Sequence, residues 1–92
     1  MPIVISVSWA SRAARIDHDG PLTLWRQVAD DLAEELTSGG LRPGARLPTE
    51  IELGDIYGVS RITVRRAVTE LVRTGLVIKV HGRGTFVAER PA

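Results

Sequence analysis

Cysteine is absent from this chain of 92 residues, which excludes a disulfide framework and any thiolate metal site. Histidine is nearly absent: His18 and His81 lie far apart in sequence, too little for a zinc site or a His-dependent nucleophile. There is no apolar run near the ~20 residues that span a bilayer, so no membrane association is expected. The N-terminal stretch has no basic segment of the kind that opens a signal peptide. With no nucleophile and base at workable spacing, no phosphate loop and no metal cluster, enzymatic chemistry is excluded, and no cofactor or small-molecule effector is expected. What remains is ordinary globular material: 43% hydrophobic and 25% charged residues, enough for one domain with a modest core.

The net charge of +1 hides a strong asymmetry. Residues 1 to 56 hold five arginines against nine acids, for −4, whereas residues 57 to 92 hold seven cations against Glu70 and Glu89, for +5. Positive charge gathered at one end of a near-neutral protein is the footprint expected of a phosphate-binding surface.

Along the chain, Ile3, Ile5, Val7 and Trp9 alternate with Val4, Ser6 and Ser8, so residues 1–15 read as a leader with a possible strand. If ordered, its open edge needs a partner, and a second copy of the strand is one candidate. The remaining residues, 16–90, read as one domain. Leu24, Trp25, Val28, Ala29, Leu32, Ala33 and Leu36 recur at helical spacing and predict an amphipathic helix over 24–37, stopped by Gly39-Gly40, with Asp30, Asp31, Glu34 and Glu35 mostly on its outer face. Ala45-Arg46-Leu47 suits a one-rung strand. Thr49 and Glu52 form a capping box, so a second helix starts at Glu50, with Ile51 or Leu53 turned inward beside Ile56 and Tyr57. Gly54 inside it suggests close approach of another helix. Gly58 closes it, Ser60 caps a third helix with Val64, Ala67, Val68 and Leu71 as its buried stripe, and Gly75 ends that. Two β-rich runs, Leu76–Val80 and Thr85–Ala88, are joined by His81-Gly82-Arg83-Gly84, whose glycines permit a hairpin. The fold class is therefore α+β: a winged helix-turn-helix of three helices and a C-terminal hairpin wing.

With that stripe inward, Ile62, Arg65, Arg66, Thr69 and Arg73 occupy the outer half of the third helix. Only its first two turns can enter a major groove, which makes Arg61, Ile62, Thr63, Arg65 and Arg66 the candidate contacts. Arginine's planar fork pairs with guanine O6 and N7 or clamps a phosphate, threonine bonds to either, and Ile62 can meet a thymine methyl. In the wing, Arg83 between two glycines suits a minor groove or a phosphate, with His81 beside it. The bland alternatives are arginines that merely solvate a helix, paired with Glu70, and a plain surface hairpin.

Several linked motifs resemble those of the N-terminal DNA-binding domain of GntR-family bacterial transcription regulators, most closely the HutC-like branch. They are Asp17-x-x-Gly20-Pro21-Leu22, Ser38-Gly39-x-Leu41-x-Pro43-Gly44, Leu47-Pro48-Thr49-Glu50-x-Glu52-Leu53, Gly58-Val59-Ser60-Arg61-x-Thr63-Val64-Arg65-Arg66-Ala67 and Gly82-Arg83-Gly84-Thr85-Phe86-Val87. The resemblance implies operator contacts by Arg61, Thr63 and Arg65 from the recognition helix and by His81 and Gly82 from the wing tip, with Thr49 and Glu50 capping the second helix near a phosphate. It implies a cytoplasmic regulator, a repressor acting by occlusion, bound to double-stranded DNA as a homodimer on a palindromic operator. The chain departs from the family in having Ile51 where an arginine is usual. The family also continues into an effector-binding and dimerising domain, whereas this sequence ends at Ala92, so ligand control is not carried over. A rival reading is a winged-helix module that docks a protein, or a DNA-binding subunit working with a separate partner.

Overall fold

The structure, a computed structural model, describes residues 9–89. The leader strand expected over Pro2 to Ser8 lies outside them. Three helices, α1 (Leu24–Thr37), α2 (Glu50–Tyr57) and α3 (Arg61–Arg73), precede an antiparallel hairpin of β1 (Val77–Val80) and β2 (Gly84–Val87). Among the described residues, no helix is long and apolar enough to cross a membrane.

Both ends of α2 follow from local chemistry. The Thr49 hydroxyl accepts from the Glu52 amide at 3.1 Å while the Glu52 carboxylate accepts from the Thr49 amide at 2.8 Å, closing the capping box. Gly58 ends the helix in the left-handed region at φ 68°, where a side chain would be strained. Ser60 then caps α3 by accepting from the Thr63 amide at 3.1 Å. Gly54 has its nearest neighbour in the turn that leads to the next helix. A Cβ there would lie 3.0 Å from the Val59 carbonyl in the turn between α2 and α3 and 4.0 Å from the Arg61 amide at the start of α3, so the turn backbone is its nearest neighbour and the next helix begins just beyond. The glycine lets that turn fold tightly against its own helix.

The core is built where the three helices and the hairpin base meet: Val28 and Leu32 of α1, Leu53 and Tyr57 of α2, the stripe Val64, Ala67, Val68 and Leu71 of α3, and Val77 and Val87 of the wing. Each fully buried aliphatic side chain in it contributes ~1.5–3 kcal/mol. Of the two inward options in the first turn of α2, Leu53 is buried and Ile51 points to solvent; Ile56 is half-buried.

The wing pairs Val77 with Val87 and Val80 with Gly84. Arg46 makes a bridge to Phe86 on the far side of β2, with the Leu47 amide donating to Thr85 and the Val87 amide to Ala45, both at 2.8 Å. The one-rung strand expected at 45–47 therefore docks the loop before α2 onto the wing.

The segment leading into α1 holds an arrangement that sequence reading did not find. Ahead of a short 3-10 helix (Ala13–Arg15), Arg12 is buried and reaches both α1 and α2. Its amide donates to the Ile56 carbonyl at 2.6 Å, Nη1 donates to Asp31 at 2.8 Å and to the Tyr57 hydroxyl at 3.4 Å, and Nη2 donates to Glu35 at 2.6 Å. The Tyr57 hydroxyl donates to Asp31 at 2.6 Å, Arg15 donates to the same carboxylate at 2.9 Å, and the Arg12 guanidinium lies over the Trp9 ring at 4.8 Å. Asp31 and Glu35 thus belong to a half-buried network and not to the solvated outer face of α1. Burial alone would raise the Asp31 pKa, but the bonds from Tyr57, Arg15 and Arg12 outweigh it and hold the carboxyl below its ordinary range. Burial and the bond to Asp31 push the Tyr57 phenol well up.

Candidate nucleic-acid interface

The capping geometry that starts α2 and α3 brings their N-termini to one side of the molecule, and the wing folds down beside them. The cleft between is lined by Arg46, Thr49, Glu50 and Ile51 from the docking strand and α2, by Arg61 at the start of α3, and by residues 79–85 of the wing.

Glu50 is the organising group. Its carboxylate lies 3.2 Å from Arg65 Nε, 3.6 Å from Arg61 Nε and 3.3 Å from Lys79 Nζ. It keeps 18% of its side-chain surface while the three cations keep 50–58%. Partial burial opposes ionisation, but the bonds from Lys79 and Arg65 outweigh it and lower the Glu50 pKa, so the group is an anion at neutral pH. One carboxylate cannot neutralise three cations, and the cluster keeps a surplus of two positive charges. Exposed pairs of this kind contribute at most ~1 kcal/mol each to stability. Their effect is to hold two guanidinium groups and an ammonium in fixed places on one face.

The residues singled out from sequence fall into four groups. Arg61, Arg65, Thr49 and Glu50 come together in the cluster or its border, and Ile62 stands beside them, exposed. Thr63 is half-buried and its hydroxyl accepts from Ser60 Oγ at 3.0 Å, which ties it into the cap of α3. His81, Gly82 and Arg83 form the exposed wing tip, with the Arg83 amide donating to Val80 at 2.9 Å and Gly82 at φ 76°. Arg66 is exposed but turned the other way, its guanidinium 4.8 Å over the Trp25 ring of α1. Pairing with Glu70 involves Arg73, at 2.6 Å, and Arg26, at 4.0 Å. Arg61 and Arg65 are not part of it.

Two residues were missed. Lys79 reaches Glu50 from β1, and Arg46 lies across the wing base, close enough that a Cβ on Gly84 would sit 2.9 Å from its Nε. Strand periodicity carried a signal for the first: Lys79 shares its phase with buried Val77, so it projects toward the helices.

Comparison with known proteins agrees with this geometry. The description of the gntR family of bacterial regulatory proteins matches residues 24–87, from the start of α1 to the end of β2. The mannosyl-D-glycerate transport/metabolism system repressor of Escherichia coli (strain K12) is 44% identical over 70 residues, covering 76% of this chain and 29% of that protein. The histidine utilization repressor of Klebsiella aerogenes is 40% identical over 76 residues, covering 83% of this chain and 32% of that one. This chain therefore spans about three-tenths of the length of these curated relatives. Among solved structures, AraR(DBD) in complex with operator ORE1 superposes with a TM-score of 0.72 at 38% identity, covering 79% of this chain and 89% of that one. YtrA from Sulfolobus acidocaldarius, a GntR-family transcription factor, superposes at 0.77 with 32% identity, covering 86% and 83%. A match that runs unbroken through the three helices and the wing, in sequence and in backbone, places this chain in the GntR family of bacterial regulatory proteins.

Proposed function

We propose that this chain binds duplex DNA by sequence and acts as a cytoplasmic transcriptional repressor, occluding the site it binds. The observation that carries this reading is the convergence of Arg61, Arg65 and Lys79 on a single carboxylate, which leaves surplus positive charge on the face shared by the first turn of α3 and the wing. Curated relatives named as repressors, and the solved AraR(DBD) complexes with operators, support it. In this reading α3 enters a major groove. Arg65 and Arg61 pair with base edges and Ile62 and Thr63 complete the contact, while Arg66, stacked over Trp25, lies outside it. The wing tip, with His81, Gly82 and Arg83, lies on the flanking backbone or minor groove. Thr49 and Glu50 border a phosphate, Glu50 acting through the cations it orients.

A single winged helix buries only ~600–1,000 Å² on DNA, so two copies on an inverted repeat are the proposed binding unit. Selecting bound sequences from a random duplex pool tests both parts together. The expected result is one motif with two-fold symmetry and half-sites about one helical turn apart. Recovery of no motif would overturn the sequence-reading role.

A further inference from the structure

A second groove, of about 640 Å³, lies between the docking strand and α2. Glu52, Asp55 and Ile56, on one face of α2, form one wall, and Arg46, Leu47 and Pro48 form the other. Trp9, the first described residue, lines it too. Trp9, Pro48 and Ile56 are only half-buried, so apolar surface is left open to water inside it.

The groove also borders a strand edge. The Leu47 amide and the Ala45 carbonyl are the groups bonded to β2, so Arg46 between them turns its own N–H and C=O the opposite way. Among the described residues no hydrogen bond meets these two groups. An edge of this kind pairs with an extended segment that reaches it. The chain itself supplies one. The Arg12 amide, bonded to the Ile56 carbonyl at 2.6 Å, fixes the segment that carries Trp9 against the last turn of α2. Residues 1–8 come before it, with uncharged side chains and with Ile3, Ile5 and Val7 in the alternating phase of Trp9. Eight extended residues reach ~26 Å, about twice the ~12 Å length of α2.

We propose that residues 1–8 fill this groove in their own chain as an added strand at the Arg46 edge, with Ile3, Ile5 and Val7 turned toward Ile56 and Pro48, and Ser6 and Ser8 toward water. Tethered through Trp9, they meet the groove at an effective concentration in the millimolar range, which residues 1–8 of a second copy would have to match. The added strand braces the loop that carries Thr49 and Glu50 into the cationic face.

The test uses the full chain without DNA, so its outcome is independent of the binding function proposed above. Nuclear Overhauser contacts between methyl groups show what lies on Ile56, and a mixture of isotope-labelled and unlabelled chains shows whether those contacts arise within one chain. Hydrogen exchange reads the Arg46 amide in wild type, Ile5→Lys and Ser6→Lys, with the Leu47 amide, held by Thr85, as internal control. The expected result is contact of Ile5 or Val7 with Ile56 within one chain. Ile5→Lys should speed exchange at Arg46 by about tenfold or more, the effect of losing the burial of one apolar side chain, while Ser6→Lys leaves it unchanged. No contact onto Ile56, contact only between copies, or the same Arg46 exchange in all three proteins would overturn the proposal. So would equal acceleration by both lysines, or equal acceleration of Arg46 and Leu47.

Discussion

Two clusters of arginine and carboxylate lie at opposite ends of α2, one behind its C-terminal residue Tyr57 and one in front at its N-terminal residue Glu50, and they are balanced differently. Behind α2, Arg12 and Arg15 meet Asp31 and Glu35, two cations with two anions, and the Tyr57 hydroxyl takes up remaining hydrogen-bonding capacity. In front, Arg61, Arg65 and Lys79 meet Glu50 alone, and all three cations are at least half exposed. Buried charge has to be matched, since an unpaired ion out of water costs several kcal/mol. Exposed charge does not, and a surplus there is left for a polyanion. The difference separates a cluster that holds the fold from one that is available for binding.

The sharpest way to break this comparison is to remove one cation from each side. Arg12→Ala leaves Asp31 and Glu35 facing each other in a half-buried pocket and should destabilise the protein by about 2–4 kcal/mol in urea unfolding, the lower part of the range for broken buried pairs because both carboxylates keep some water. Arg61→Ala should change stability by no more than ~0.5 kcal/mol. Similar losses from both would remove the distinction.

Next in size is Arg65→Ala, which should weaken binding to the selected duplex by ~1–3 kcal/mol and relax preference at one base pair. Equal weakening on every sequence would assign Arg65 to a phosphate instead. Tyr57→Phe removes the hydroxyl that Asp31 and Arg12 share and should cost ~1–2 kcal/mol of stability while leaving DNA affinity unchanged once the protein is folded.

How far these clusters were legible in sequence follows from the separation of their members. The elements themselves are encoded locally: Thr49 with Glu52, Ser60 with Thr63, and the three- and four-residue spacing within α1 and α3 gave the helices and their starts. Arg61 and Arg65 were found because they stand in the first two turns of α3, opposite its buried stripe. The network behind α2 was not, because Arg12 finds its partners 19, 23 and 45 residues away, and only the packed structure brings them together. Arg66 shows the complementary limit. Helix periodicity placed it on the outer half, but a neighbouring ring, Trp25, settled which way it turned.

Acid titration gives a smaller, graded effect. The Asp31 pKa is lowered in the folded state, so its contribution to stability is present above the unfolded aspartate value of ~3.9 and is lost as pH falls through the lower folded value. Urea midpoints should therefore drop as pH is taken below about 4, and the drop should be shallower in Arg15→Ala, which lacks one of the groups that depress Asp31. An unchanged profile in that variant would remove Arg15 from the network.

The most direct test of the central claim compares two substitutions that remove the same charge from different places, Lys79→Ala in the front cluster and Arg15→Ala behind. Both side chains are about half exposed, at 50% and 55%. The measurement is the slope of log binding constant against log salt on the selected duplex, where each neutralised phosphate contributes about −0.9. The account predicts a steep wild-type slope, reduced by about one unit in Lys79→Ala and unchanged in Arg15→Ala. A flat wild-type slope, or equal reductions in both variants, would contradict it.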